Sequence, residues 1–153
     1  MIYADTSFLF SFYALDENSP AAGRVYSVDA RRPLFLSPWQ RFELHNAVRL
    51  AVHRLHGAKL VVAFRPGNVF KQLEEDLEAG RLRHVDVDWR ESLRLAEELS
   101  AAHTEATGVA SVDVWHVAAA ILLKADTFWT FDEAQQEMAR RSRKFKSVPG
   151  LRP

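Results

Sequence analysis

Four acidic residues stand where carboxylates from distant parts of the chain could act together. Asp5 and Asp132 each follow a short β-prone run, at the point where a strand would end. Asp113 opens an almost wholly apolar helix, and Glu43 lies in the second turn of a long one. Each acid alone has an ordinary explanation, such as a turn, a helix N-cap or a solvated helix face. Their shared placement at strand ends and helix starts favours a common site.

Converging carboxylates repel one another, so each raises the pKa of its neighbours. A divalent cation removes this conflict, and carboxylate and water oxygens suit Mg²⁺ or Mn²⁺. Such a site can activate water and neutralise charge on a phosphodiester. The residue types therefore indicate metal-dependent phosphodiester hydrolysis.

The composition is that of an ordinary globular protein. The chain has 153 residues with 20 basic and 20 acidic side chains, so its net charge gives no sign of a nucleic-acid partner. It has no cysteine, which excludes disulfides and thiolate metal sites and is compatible with a reducing cytoplasm. No apolar run reaches the roughly 18 residues of a membrane span, and the N-terminus lacks signal-peptide features. We expect a cytoplasmic protein that does not enter a membrane.

The hydrophobic pattern alternates between strands and helices. Strands are predicted within 1–4, 33–37, 81–87 and 127–131, with an edge strand near 146–148. Helices are predicted at about 7–15, 19–30, 38–56, 68–80, 89–105, 112–123 and 133–143. This order favours an α/β fold with a mostly parallel, twisted sheet covered by helices on both faces. Ligands of such sheets bind beyond the carboxyl ends of the strands, where Asp5 and Asp132 are expected.

Serine–proline pairs mark two of the helix starts. Ser19 and Ser37 are predicted N-caps, each followed by proline, and Gln40 could complete a capping box with Ser37. Gly57 would end the long helix. Ser111 is the predicted N-cap of the helix that carries Asp113.

At this point the motifs match a known family. The segments MIYADTS, FELHNA, SVDVWHVAAA and TFD resemble, in order and spacing, the four acidic motifs of PIN-domain ribonucleases, and specifically those of VapC-like toxins. The resemblance covers nearly the whole chain and implies one PIN domain over residues 1–153. It implies that Asp5, Glu43, Asp113 and Asp132 are the catalytic and metal-binding acids, with Asp5 and Asp113 the foremost ligands.

The resemblance also implies supporting residues. Ser7 and Thr130 stand beside Asp5 and Asp132 and could hydrogen-bond a carboxylate, and Asn46 could orient Glu43 one turn away. Local turn or helix hydrogen bonds explain these three equally well. His116 is expected to be packed or hydrogen-bonded rather than catalytic.

The implied activity is that of a Mg²⁺-dependent endoribonuclease toxin that cuts structured RNA and is neutralised by a cognate antitoxin. Homodimers are usual in that family. RNA binding by a neutral chain requires a local basic rim. The candidates are Arg140, Arg141, Arg143 and Lys144 in RRSRKFK, together with Arg41. A solvated helix face explains these cations equally well.

Two other functions stay open on sequence alone. A Mg²⁺-dependent phosphatase or receiver domain also places an aspartate after its first strand. The phosphatase pattern requires a second aspartate where this chain has Ser7, and no paired acids suit a receiver. A PIN-like module that binds RNA or protein without cutting is the other alternative, and the intact quartet argues against it.

Overall fold

The computed structural model describes residues 1–14, 16–29, 32–57 and 65–151. Within these ranges the strands are β1 Ile2–Ala4, β2 Leu34–Leu36, β3 Leu82–His84 and β4 Thr127–Trp129. The helices are α1 Thr6–Tyr13, α2 Ser19–Asp29, α3 Pro38–Gly57, α4 Pro66–Glu78, α5 Trp89–Thr107, α6 Ser111–Leu122 and α7 Glu133–Ser142.

The strands form one parallel sheet in the order β3-β2-β1-β4. In register, Ile2 of β1 lies opposite Leu34 of β2 on one side and Thr127 of β4 on the other. The chain moves outward from β1 through β2 to β3 and later returns to the far side of β1 as β4. The strand order therefore reverses at β1, and such reversals create a crevice at the carboxyl ends of the strands. The predicted α/β fold is confirmed.

Each face of the sheet has its own apolar core, because successive strand residues point to opposite faces. Ile2, Ala4 and Trp129 pack with α1, α2, α3 and α4. Tyr3 and Phe128 pack with α5, α6 and α7. The predicted cover of helices on both faces is thus present.

The start of α3 confirms the predicted capping box. The backbone N–H of Ser37 donates to Gln40 Oε1 at 2.8 Å, and the N–H of Gln40 donates to Ser37 Oγ at 3.2 Å. Gln40 Nε2 also donates to the carbonyl of Ala4 at 2.6 Å, which ties the first turn of α3 to the end of β1.

Three predicted details differ from the structure. Ala110, in an extended conformation, is the N-cap of α6, because its carbonyl accepts the first helical bond from Val114 at 3.0 Å, and Ser111 is already helical. Ser19 likewise lies within α2 instead of preceding it. The predicted edge strand is a single bridge between Ser147 and Thr127.

Three predicted helix ends border residues outside the described ranges. The predicted ends of α1 at residue 15 and of α2 at residue 30 fall on such residues, and the predicted stop at Gly57 directly precedes others. No helix in the described part of the chain has the length and apolar character needed to cross a bilayer.

Candidate active site

Two of the acids are brought together by adjacent strands and each caps a helix. Asp5 follows β1 and accepts the backbone N–H of Phe8 at 2.8 Å, so it is the N-cap of α1. Asp132 follows β4 and accepts the N–H of Gln135 at 2.7 Å, so it is the N-cap of α7. Since β1 and β4 are parallel neighbours, both acids lie at the same edge of the sheet.

The other two acids reach this edge from helices. Glu43 lies in the early turns of α3 and accepts the hydroxyl of Thr6, the residue after Asp5, at 2.9 Å. Asp113 lies in the first turn of α6, and its Oδ1 accepts Gln135 Nε2 at 3.4 Å, which connects it to the start of α7. Thr6 thus connects Glu43 to the residue after Asp5, and Gln135 connects Asp113 to Asp132.

Asp113 lies within electrostatic range of the three other acids. Its pKa is raised to about 6, chiefly by burial and then by the negative charge of Asp132. Asp5 and Glu43 raise the pKa of Asp113 further, whereas His116 lowers it. Asp113 therefore interacts with the three other acids.

Asp5 is held by hydroxyls and backbone, as the predicted roles of Ser7 and Thr130 would require. Ser7 Oγ donates to Asp5 Oδ1 at 2.8 Å, and Thr130 Oγ1 donates to Oδ2 at 2.9 Å. Thr130 Oγ1 also accepts the N–H of Asp132 at 3.0 Å, so one hydroxyl connects both strand-end acids. Burial raises the pKa of Asp5, and His116 and these hydrogen bonds offset part of that rise.

Glu43 is oriented by residues other than the predicted Asn46. His116 Nε2 lies 2.6 Å from Glu43 Oε2, and Tyr3 Oη lies 2.8 Å from His116 Nδ1. Asn46 is exposed, and no hydrogen bond joins it to Glu43 among the described residues. Thr6 and Tyr3 were not identified from the sequence, because a hydroxyl next to an acidic motif gives no sign of a partner 37 residues away.

The donor set suits a hard divalent cation. All four side chains offer carboxylate oxygens, and within the described ranges none of them forms an ion pair with lysine or arginine. No three histidine, aspartate or glutamate side chains of the described residues already stand as a metal-binding group.

The predicted basic rim lies away from the acids. Lys146 N donates to the carbonyl of Asp126 at 2.8 Å, so the segment after α7 returns to the beginning of β4, at the opposite edge of the sheet. The ten residues of α7 place its basic end about 15 Å from Asp132. Arg41 lies near Glu43 in sequence but is paired with Glu74 at 2.5 Å.

The basic residues of α7 itself have local partners. Arg140 donates to Gln136 Oε1 at 3.2 Å and to the carbonyl of Val148, and Arg141 pairs with Glu137 at 2.7 Å. Arg143 and Lys144, which follow the helix, are exposed.

An apolar surface borders the acidic edge. Phe42 directly precedes Glu43 and is 58% exposed, and Trp89 at the start of α5 is 50% exposed. Together with Trp39 and Trp115 they line a cavity of about 500 Å³. Leu93 and Val112, also exposed, continue this surface. We call it the aromatic patch: Trp39, Phe42, Trp89, Leu93, Val112 and Trp115.

A second cavity lies between α1 and α3. It has a volume of about 280 Å³ and begins at Thr6 and Ser7, next to the acids. It extends along Phe10, Leu50 and Arg54. We call it the α1–α3 groove.

Comparison with known proteins finds a matching family model and a similar solved structure. A family model described as PIN domain matches residues 2–141. The chain is similar to the crystal structure of FitAcB from Neisseria gonorrhoeae, with a TM-score of 0.57 and 19% identity over 92% of this chain and 94% of that chain. At that identity the likeness shows a shared fold. The comparison with curated proteins finds no match.

Proposed function

This chain belongs to the PIN domain family, whose members are generally nucleases, and from this premise we propose that it is a Mg²⁺- or Mn²⁺-dependent endoribonuclease. One observation carries the proposal. Burial first, and then the negative charges of Asp132, Asp5 and Glu43, raise the pKa of Asp113 to about 6, and no lysine or arginine pairs with these four acids in the described chain. A bound cation would compensate this charge.

Each acid has a definable part in this proposal. Asp5, Glu43, Asp113 and Asp132 would hold the cation. When bound, it supplies positive charge that activates water and offsets charge developing on the attacked phosphodiester. Ser7 and Thr130 hold the Asp5 carboxylate in place, and Gln135 connects Asp113 to the start of α7.

Cleavage of a structured RNA in the presence of Mg²⁺ tests the activity. We expect Asp113→Asn to abolish cleavage while circular dichroism shows an intact fold, because asparagine retains the shape but not the charge. EDTA should abolish cleavage by the unaltered chain. Undiminished cleavage in EDTA would exclude the metal mechanism.

We further propose that the protein is the toxin of a toxin–antitoxin pair, on the strength of its four motifs. An apolar antitoxin segment would occupy the α1–α3 groove, since helix-in-groove binding is a common recognition mode. The groove begins at Thr6 and Ser7, which contact Glu43 and Asp5. A basic antitoxin side chain at that end would compensate the same negative charge as a cation.

The aromatic patch supports a homodimer. Its Phe42, Trp89, Leu93 and Val112 are 40–58% exposed, and large aromatic side chains are enriched at interface centres. We expect light scattering to show a dimer that Trp89→Glu converts to a monomer. Titration with the product of the adjacent gene should inhibit cleavage. A strict monomer, insensitive to that product, would contradict both partner proposals.

A further inference from the structure

A chain of hydrogen bonds leads from the core to Glu43. Tyr3 of β1 and His116 of α6 are 1% and 2% exposed, and Tyr3 Oη lies 2.8 Å from His116 Nδ1. On the other side of the imidazole, Nε2 lies 2.6 Å from Glu43 Oε2. Three elements of the fold therefore meet at one carboxylate.

The imidazole is fixed in orientation by its neighbours. Its ring meets those of Tyr3 and Trp115 edge-on, with centroids 6.0 Å and 5.4 Å apart. Tyr3 is itself stacked on Phe128 at 5.6 Å. When neutral imidazole accepts the Tyr3 hydroxyl at Nδ1, the hydrogen is on Nε2, and imidazolium also carries one there. In both forms an N–H donates to Glu43.

This contact explains a polar residue in an otherwise apolar helix. His116 lies within VWHVAAA, where every neighbour from Val114 to Ala120 is buried. Burying an imidazole costs free energy unless its nitrogens are hydrogen-bonded, and a leucine would fill the helix without that cost. Both nitrogens of His116 are satisfied, one of them by an acid of the candidate site.

The bonds to Glu43 are all made to one of its oxygens. Oε2 accepts both His116 Nε2 and the hydroxyl of Thr6. Among the described residues no hydrogen bond is made to Oε1. The carboxylate is thus anchored through one oxygen while the other stays available.

We propose that His116, held by Tyr3, is a positioning residue that fixes the Glu43 carboxylate and leaves Oε1 for a divalent cation. This inference rests on the proposed function, because it assigns Glu43 to the metal. His116 acts through Glu43 and not on the substrate. Substitution of a residue that hydrogen-bonds a metal ligand commonly lowers metal affinity by about 10- to 100-fold.

Mn²⁺ affinity, measured by calorimetry without RNA, tests the proposal. We expect His116→Leu to weaken Mn²⁺ binding about 10-fold or more. His116→Gln should restore most of the affinity, because its amide can still donate from near the Nε2 position. Tyr3→Phe should weaken binding by a few-fold, less than His116→Leu, since the ring stack on Phe128 remains.

Tyr13→Phe is the matched control. The Tyr13 hydroxyl donates to Asp76 at 2.7 Å, so this variant also removes a tyrosine–carboxylate contact, but far from the acids. It should leave Mn²⁺ affinity unchanged. A difference between the two tyrosine variants therefore isolates the connection to Glu43.

Each outcome decides the inference. It is overturned if folded His116→Leu binds Mn²⁺ like the unaltered chain, or if His116→Gln and His116→Leu lose affinity equally. If His116→Leu does not fold, unchanged affinity in Tyr3→Phe overturns it. If the unaltered chain binds no Mn²⁺, the proposed function fails and the inference fails with it. If the unaltered chain binds Mn²⁺ and the variants bind it equally well, only the inference fails.

Discussion

Asp5 and Asp76 are both nearly inaccessible, at 3% and 4% exposure, yet their surroundings are opposite. Asp76 accepts the Tyr13 hydroxyl at 2.7 Å and the Arg81 guanidinium at 2.7 Å, so a cation balances its charge. Asp5 accepts two hydroxyls and a backbone N–H, and no lysine or arginine of the described residues is paired with it. Burial accordingly raises the pKa of Asp5.

The contrast extends to a third aspartate. Asp126, at the start of β4, is paired with the N-terminal ammonium at 2.8 Å and with Arg32 at 2.5 Å, and the ammonium contact lowers its pKa. The sequence has as many basic as acidic residues, so cations are available to the fold as a whole. Asp76 and Asp126 are paired with such cations, whereas among the described residues no lysine or arginine pairs with the quartet at the carboxyl edge. This is the pattern expected where the compensating cation comes from outside the chain.

Replacing Asp5, which has no paired cation among the described residues, and Asp76, which has one, should change cleavage and stability in opposite ways. The loss of cleavage in Asp5→Asn is the largest effect we expect. We expect Asp5→Asn to lower RNA cleavage more than about 100-fold, exceeding the usual effect of a residue that merely supports a metal ligand. Its stability without metal should be retained, because asparagine is a good N-cap and an unpaired buried charge is removed. Cleavage rates and thermal unfolding in EDTA measure both quantities.

The matched variant is Asp76→Asn. It removes the charge that pairs with Arg81, so we expect the free energy of unfolding to fall by about 1–2 kcal/mol while cleavage per folded molecule is unchanged. Equal losses of stability in the two variants would mean that Asp5 is a structural aspartate like Asp76.

A smaller effect is expected from the hydroxyl that supports Asp5. Thr130→Val removes the donor to Asp5 Oδ2 and the acceptor of the Asp132 N–H. We expect cleavage to fall about 10-fold, at the low end for a residue that orients a metal ligand. Thr127→Val is the control, since the Thr127 hydroxyl donates at 3.0 Å to the already paired Asp126. Similar activities for the two variants would mean that the hydroxyl bonded to Asp5 matters no more for cleavage than the hydroxyl bonded to Asp126.

The positions of Asp5 and Asp132 in the fold, and most of its elements, could be predicted because their signals are local. Asp5 and Asp132 follow β-prone runs and cap helices, and Ser37 with Gln40 forms the capping box within four residues. The partner of His116 could not be predicted in this way, because Glu43 is 73 residues distant and only the packing of α3 against the sheet brings them together. The prediction of an edge strand near 146–148 was wrong, because the β-prone residues there form only one bridge, between Ser147 and Thr127.

Metal-free stability should depend on pH through the unpaired acids. Because the pKa of Asp113 is about 6 in the folded chain and near 4 when unfolded, the folded state binds more protons between these values. The contribution of Asp113 to the free energy of unfolding therefore falls as pH rises from about 4 to about 6. We expect Asp113→Asn, measured in EDTA, to gain stability relative to the unaltered chain across this window and to keep a constant advantage above it.

The paired Asp126 acts with the opposite sign. Its lowered pKa stabilises the fold above pH 4 and is present in both proteins, so it cancels in the difference between them. Mg²⁺ added above pH 6 should raise the melting temperature of the unaltered chain more than that of Asp113→Asn. Parallel pH dependences of the two proteins would show that burial and the neighbouring acids do not raise the pKa of Asp113.

The smallest effect concerns the basic segment at the opposite edge of the sheet. Arg143 and Lys144 are exposed and lie about 15 Å from Asp132, the length of α7. A long structured RNA can span this distance while a dinucleotide cannot, so the double variant Arg143→Gln, Lys144→Gln should weaken binding only of the long RNA, by a few-fold. Two lost phosphate contacts should also reduce the slope of log affinity against log salt by about 1.5. Arg94→Gln, which removes an exposed cation paired with Glu91 and Glu98, should change neither. An equal loss of affinity for the dinucleotide would place these cations in the site itself, and an unchanged salt slope would show that they do not contact RNA.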